Sequence, residues 1–107
     1  MRTKKRFFSG RALEVMRYQL PYTDEPPTEA EDMLGRAQTR AWIWACQDPA
    51  PGKRKRGYRE ERSPDKVVKL LIYRDGDTEI CEDIQVSSDH GKTYHCPLEN
   101  LPPSNPA

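Results

Sequence analysis

A basic segment is the part of this sequence whose residue types point most directly to binding chemistry. The segment comprises Lys53, Arg54, Lys55, Arg56, Tyr58 and Arg59. Such a run is typical of nuclear localisation signals and of nucleic-acid contacts, because its cations neutralise phosphates and a tyrosine can stack on a base. Glu60 and Glu61 shorten the run. A second interpretation therefore stays open, in which the segment is a solvated loop that balances acidic residues of its own molecule.

Two tryptophans indicate a protein-binding surface near the end of a predicted helix. Residues 41–46 are apolar nearly all round that helix, whereas one buried face needs only some of them. Trp42 and Ile43 are left over, and tryptophan is enriched in interface hot spots because it supplies a large, rigid area. We therefore predict Trp42 and Trp44 as protein-binding residues. The alternative is that the sheet or the chain after the helix covers this end, so that both side chains belong to the core.

Acidic residues are concentrated in a predicted hairpin, where Asp75, Asp77 and Glu79 could bind a basic protein surface. Carboxylates at such positions could also bind a divalent ion, but more often they simply face solvent. We predict these three residues as protein-binding.

Cysteine and histidine do not indicate a metal site or a catalytic centre. Cys81, His90, His95 and Cys96 lie nearest to one another but lack the Cys-x-x-Cys spacing of structural zinc sites. The sequence also lacks a Walker-type loop, a nucleophile elbow and a dinucleotide fingerprint. We predict no metal, no cofactor, no small-molecule substrate and no enzymatic activity.

Charge is segregated along the chain, although the formal net charge is only +1. Residues 1–20 hold six basic residues and one acidic residue, and residues 21–35 hold five acidic residues and no basic ones. Residues 36–63 are again basic, and residues 64–107 are acidic. Charge blocks of alternating sign steer association and fix the register of two partners. They favour a protein as the partner.

The clearest predicted element is a helix over residues 28–47. Thr28 follows two prolines and is followed three residues later by Glu31, which completes a capping box. Pro49 ends the helix, because the residue before a proline is biased away from the helical region. Gly35 costs about 1 kcal/mol relative to alanine inside a helix, but the capping box and the apolar stripe outweigh it. That stripe consists of Leu34, Ala37, Ala41, Trp44 and Ala45.

A hairpin is predicted after residue 65, because a run rich in β-formers precedes the turn signal Asp75-Gly76. Matching apolar residues across a two-residue turn places Tyr73 opposite Thr78 and pairs Lys69 with Glu82. In that register one face of the hairpin collects Val67, Leu71, Tyr73, Ile80 and Ile84. A three-residue turn would shift the register by one and flip the second strand.

The remaining segments complete an α+β fold, with one main helix packed on a small, mainly antiparallel sheet of three to four strands. Residues 11–20 contain helix formers, but the alternation from Met16 to Tyr22 favours a strand. A further strand is predicted over residues 92–96, after a turn at 87–91. We predict a single small domain over residues 1–107, with flexible Pro-rich and basic margins at 1–6, 49–64 and 98–107.

These observations predict a small, non-enzymatic interaction protein, an adaptor or an inhibitor such as a viral or phage accessory protein. The alternative function is nucleic-acid binding by residues 53–59. The three cysteines are an odd number, and no signal-peptide pattern or apolar run of membrane-spanning length is present. We therefore expect an intracellular protein, cytoplasmic or nuclear, without a membrane partner.

Overall fold

The computed structural model describes residues 5–20, 22, 24–48, 56–99 and 101. Its elements are β1 (Arg6–Phe8), α1 (Gly10–Arg17), α2 (Glu29–Ala45), β2 (Gly57–Arg62), β3 (Val68–Asp75) and β4 (Thr78–Val86). The strands form one mixed sheet in the order β1-β4-β3-β2. Only β1 and β4 are parallel, and the other pairs are antiparallel. The predicted α+β class is confirmed, with two helices instead of one main helix.

Helix α2 begins as the sequence predicts. The Thr28 hydroxyl accepts a hydrogen bond from the Glu31 amide at 3.2 Å, and the Glu31 carboxylate accepts one from the Thr28 amide at 2.9 Å. This reciprocal pair satisfies two amide groups that have no partner inside the helix. The residues that α2 buries against the sheet are Leu34, Ala37, Ala41 and Trp44.

The strand predicted within residues 11–20 is wrong, because Gly10–Arg17 forms α1. Ala12 and Val15, three residues apart, are buried together on one side of this helix. At its end, the Gln38 amide group donates to the carbonyl oxygens of Val15 and Tyr18, at 3.0 and 2.8 Å. A side chain of α2 therefore satisfies two carbonyl groups at the end of α1. Because Gln38 lies outside residues 11–20, the sequence of that segment alone could not predict this contact.

The predicted hairpin register is also wrong. Gly76 and Asp77 form the turn, so that Asp75 pairs with Thr78 and Tyr73 with Ile80. Gly76 has a φ of 65°, and glycine at the first of two turn positions is typical of a type II′ turn. The predicted pair between Lys69 and Glu82 is absent, since Lys69 lies opposite Gln85.

A β-bulge between Leu71 and Ile72 shifts the register again. Ile72 pairs with Cys81, whereas Leu71 pairs with Asp83, so β4 carries one extra residue, Glu82. The bulge brings Ile84 and Val86 to the same face as Cys81, where all three are buried. Without the extra residue, the far half of β4 would present the opposite set of side chains to the helices.

The five residues predicted to share one face of the hairpin are divided between the two sides of the sheet. Val68, Leu70 and Ile72 of β3 are buried in one cluster with residues of both helices. Leu71 and Tyr73, which are predicted to share a face with Ile84, alternate with them and lie on the other side of the sheet, whereas Ile84 is buried in the core. The continuous apolar run of β3 gave both faces of this strand an apolar character.

Segments predicted to be flexible contain one whole strand and the first residue of another. Arg6 begins β1, and residues 57–62 form β2. The predicted strand over residues 92–96 is reduced to one bridge between Val86 and His95. The chain before it turns around Asp89, whose carboxylate accepts hydrogen bonds from the Thr93 amide and hydroxyl.

Candidate functional site

The open face of the sheet carries an apolar row that crosses all four strands. Phe7 of β1 pairs with Ile80 of β4, Ile80 with Tyr73 of β3, and Tyr73 with Tyr58 of β2. Residues directly opposite each other on neighbouring strands share a face. We refer to Phe7, Ile80, Tyr73 and Tyr58 as the sheet-face row. The rings of Tyr58 and Tyr73 have centroids 4.8 Å apart.

Both helices pack on the other face of the sheet. Within the described part of the chain, none of the four row residues belongs to the core cluster or packs against it. Phe7 is 41% exposed and Tyr58 is 61% exposed, while Ile80 and Tyr73 are half-buried by their neighbours on the sheet. Contiguous exposed apolar residues are uncommon on monomers and mark interaction sites.

Two carboxylates lie on the same face, next to the row. Asp83 lies opposite Leu71, and Glu82 is the extra residue of the bulge. The Tyr58 hydroxyl is hydrogen-bonded to Glu82, and this bond and the carboxylate charge raise the pKa of Tyr58. Neither carboxylate forms a salt bridge with a described residue, although the charge of Asp83 acts on the Arg11 guanidinium. The row is therefore bordered by negative charge.

The cations of this face have partners within the molecule. Lys69 Nζ lies 3.0 Å from Glu60 Oε2, and Arg62 Nη2 lies 3.4 Å from Glu60 Oε1. Both cations also lie over the Tyr94 ring, with Lys69 Nζ 4.4 Å from its centroid. These pairings leave Glu82 and Asp83 as the carboxylates beside the row that a basic partner can neutralise.

The two predicted tryptophans have different environments. Trp42 is 57% exposed, and its ring stacks against Phe8 with centroids 6.5 Å apart. Trp44 is 3% exposed and belongs to the core, where the Arg6 guanidinium lies 5.0 Å from its ring. For Trp44 the structure agrees with the alternative that this side chain belongs to the core, because the helix stripe that contains it faces the sheet.

The acidic residues predicted to bind a partner are paired within the molecule. Asp75 Oδ1 lies 3.2 Å from Arg56 Nε, and Asp77 Oδ2 lies 3.6 Å from Lys5 Nζ. Glu79 is only 1% exposed. It faces the helix side of the sheet, away from the sheet-face row, and is paired within the molecule.

Glu79 is the centre of an ion-pair cluster. Its carboxylate accepts a hydrogen bond from Arg6 Nε at 2.9 Å and hydrogen bonds from Arg59. Burial alone would raise the pKa of this carboxyl, but the hydrogen bonds and charges of Arg59 and then Arg6 outweigh burial and hold the pKa below its usual range. Arg6 also donates to the Trp44 carbonyl at 2.8 Å. It thereby supplies the cation that the last turn of α2 lacks.

The basic segment is described only in part, because Lys53, Arg54 and Lys55 lie outside the described residues. Arg56 pairs with Asp75, and Arg59 pairs with Glu61 and Glu79. For these two arginines the structure agrees with the interpretation that the segment balances acidic residues of its own molecule. Tyr58 lies between them and belongs to the sheet-face row.

The thiols and carboxylates do not form a metal centre in the part of the chain that the structure describes. Cys81 is fully buried, and burial raises the pKa of its thiol to about 12. Cys96 Sγ accepts a hydrogen bond from Arg11 Nη1 at 3.2 Å. The Cys81 thiol is therefore not a ready nucleophile, since the thiolate is the reactive form.

The sequence analysis missed three residues of the row as binding residues, namely Phe7, Tyr73 and Ile80. For Tyr73 the available signal was the apolar run from Leu70 to Tyr73, since a run without alternation indicates a strand with two apolar faces. Neither described helix is long and apolar enough to cross a membrane. Comparisons with protein-family models, with curated proteins and with solved structures find no match to this chain.

Proposed function

We propose that this protein is a protein-binding module, an adaptor or an inhibitor, that docks on its partner through the open face of its sheet. The sheet-face row is the observation that carries the proposal. Aromatic residues are enriched in interface hot spots, and the row supplies three of them on rigid strands. Their ordering costs are low, because the strands already hold them in one line.

The charges beside the row indicate the chemistry of the partner. Glu82 and Asp83 form no salt bridge with a described residue, so a lysine or arginine of the partner can pair with them. A complementary partner surface therefore combines an apolar strip with a basic edge. The same two carboxylates repel phosphates, which makes a nucleic acid a poor occupant of this face.

The test begins with capture of partners by the full chain from its source cells after nuclease digestion. A captured protein is then purified, and its affinity is measured for the wild type and for Tyr58→Ala. We expect Tyr58→Ala to weaken binding by about 30-fold, the scale of an aromatic hot spot. The double variant Glu82→Lys with Asp83→Lys should weaken binding further and reverse its dependence on salt.

Tyr22→Ala is the matched control, because Tyr22 is also a tyrosine and is 99% exposed. Thermal unfolding of each variant shows whether the fold survives. Equal binding by the wild type and by Tyr58→Ala would contradict the proposal. Capture that is lost after nuclease digestion would instead support the alternative, nucleic-acid binding by residues 53–59.

A further inference from the structure

A groove of about 660 Å³ runs along α2, apart from the sheet-face row. One wall repeats every fourth residue of the helix, at Glu31, Gly35, Thr39 and Ile43. The other wall consists of Leu20, Pro27, Pro64, Val67 and neighbouring residues. The helical wall is about 18 Å long, at 1.5 Å per residue. The volume lies within the range of small-molecule sites.

Gly35 widens the groove at its middle. Glycine is among the least favourable residues inside a helix, so its presence at position 35 needs a structural explanation. Close packing is not that reason, because an added Cβ would meet only Leu20 Cδ1, at an ordinary contact distance of 4.0 Å. The missing side chain leaves space in the groove instead.

Arg40 is a half-buried cation on the wall of this groove. It has no ion pair or side-chain hydrogen bond within the described part of the chain. Its neighbour one turn earlier differs, since Arg36 pairs with Asp32 at 3.1 Å and with Asp65 at 3.9 Å. The Thr39 hydroxyl, beside Arg40, likewise has no partner among the described residues.

We propose that this groove binds an elongated apolar small molecule that ends in a carboxylate. The carboxylate pairs with the Arg40 guanidinium, which presents two parallel N–H groups that match its two oxygens. The Thr39 hydroxyl offers one further donor. The apolar chain lies over Gly35 and against Leu20 and Val67. This proposal is independent of the protein-binding function, because the groove and the row share no residue.

The test uses the full chain labelled with nitrogen-15 and decanoate as the probe, at concentrations below micelle formation. We expect saturable shifts of the amide signals of residues 31–43 and 63–68. Decanol has the same chain without the charge, and we expect it to bind about tenfold more weakly, because a hydrogen-bonded ion pair is lost. Equal affinities, shifts confined to the sheet-face row, or no saturable binding would overturn the proposal.

Two variants test separately how the carboxylate and the apolar chain of the ligand contribute to binding. Arg40→Gln should reduce decanoate affinity to that of decanol and leave decanol unchanged, whereas Arg17→Gln, an exposed arginine of α1, should change neither. Gly35→Leu should abolish binding of both probes while the thermal midpoint does not fall, because the new side chain fills the groove and leucine favours a helix. Decanoate binding that survives Arg40→Gln or Gly35→Leu would also overturn the proposal.

Discussion

At Glu79, one buried carboxylate accounts for the placement of arginines from three different strands. Arg6 comes from β1, Arg59 from β2 and Arg74 from β3, and each lies within ion-pairing distance of Glu79 on β4. Arg6 is itself buried, so its charge depends on this partner. Removing one member of a buried pair leaves an uncompensated charge, which costs more than the pair contributes as a whole.

We predict that Glu79→Gln lowers the free energy of unfolding by about 3 kcal/mol. The amide keeps the shape of the carboxyl but cannot neutralise the Arg6 guanidinium. Urea denaturation measures the change. Glu61→Gln is the matched control, since Glu61 also pairs with Arg59 but is 40% exposed, and exposed pairs contribute about 0–1 kcal/mol. Similar losses in the two variants would contradict a special role for the buried cluster.

Among the elements, α2 could be predicted because its signals are local. The capping box needs only Thr28 and Glu31, and the following stripe fixes which side of the helix is buried. The hairpin could be predicted as an element but not in its register. Its turn begins one residue later than Asp75-Gly76 suggests, and the bulge depends on contacts of β4 with the rest of the sheet.

The sheet-face row could not be predicted for the same reason, and its only residue predicted to bind anything is Tyr58, as a nucleic-acid contact. The aromatic and apolar types in β3 and β4 are visible in the sequence, but which face the helices cover depends on the register. Trp44 illustrates the converse. Its type indicates an interface, whereas its place in the helix stripe, also visible in the sequence, puts it in the core.

At the scale of the helix, we predict that Gly35→Ala raises the free energy of unfolding by about 0.5–1 kcal/mol. The added methyl group meets no close neighbour, and alanine restricts the unfolded chain more than glycine does. Gly76→Ala is the contrasting variant and should destabilise the fold, because Gly76 has a φ of 65°. Thermal unfolding compares the two, and a lower midpoint for Gly35→Ala would contradict the prediction.

For the whole molecule, the charge blocks of the sequence largely neutralise one another across the sheet. The basic residues Lys5, Arg56 and Arg59 lie beside acidic residues of the β3–β4 hairpin, which belong to a block of opposite sign. The formal net charge of only +1 thus reflects oppositely charged side chains that are in contact in the folded protein. Folding therefore depends on the ionisation of carboxylates far apart in the sequence.

We predict that stability is greatest near neutral pH and falls as the pH falls below about 4.5. The pKa values of Glu79, Asp65 and Asp89 are all lowered from their ordinary values of 4.5, 3.8 and 3.8. Burial opposes the shift at Glu79 but is outweighed by Arg59 and Arg6, whereas hydrogen bonds from Ser63 and from Ser87 lead at Asp65 and Asp89. A lowered pKa stabilises the folded state above the ordinary value, and this stabilisation is lost as the pH falls through the folded value.

Urea denaturation from about pH 7 to about pH 3 measures this dependence. Glu79→Gln should flatten the acid side of the profile, because glutamine has no proton to gain. An unchanged slope in that variant would assign the acid sensitivity to other carboxylates.

Because β1 pairs in parallel with β4, the sheet can be completed only after the ribosome has synthesised β4. Arg6 contacts Glu79 across 73 positions of the chain, so β1 is synthesised long before the strand beside which it lies. Until β4 emerges, Phe7 and Phe8 have no sheet to join, although α1 and α2 are already complete. Contacts of such long range slow folding. Newly made chains thus expose the aromatic residues of β1 to chaperones until β4 has been synthesised.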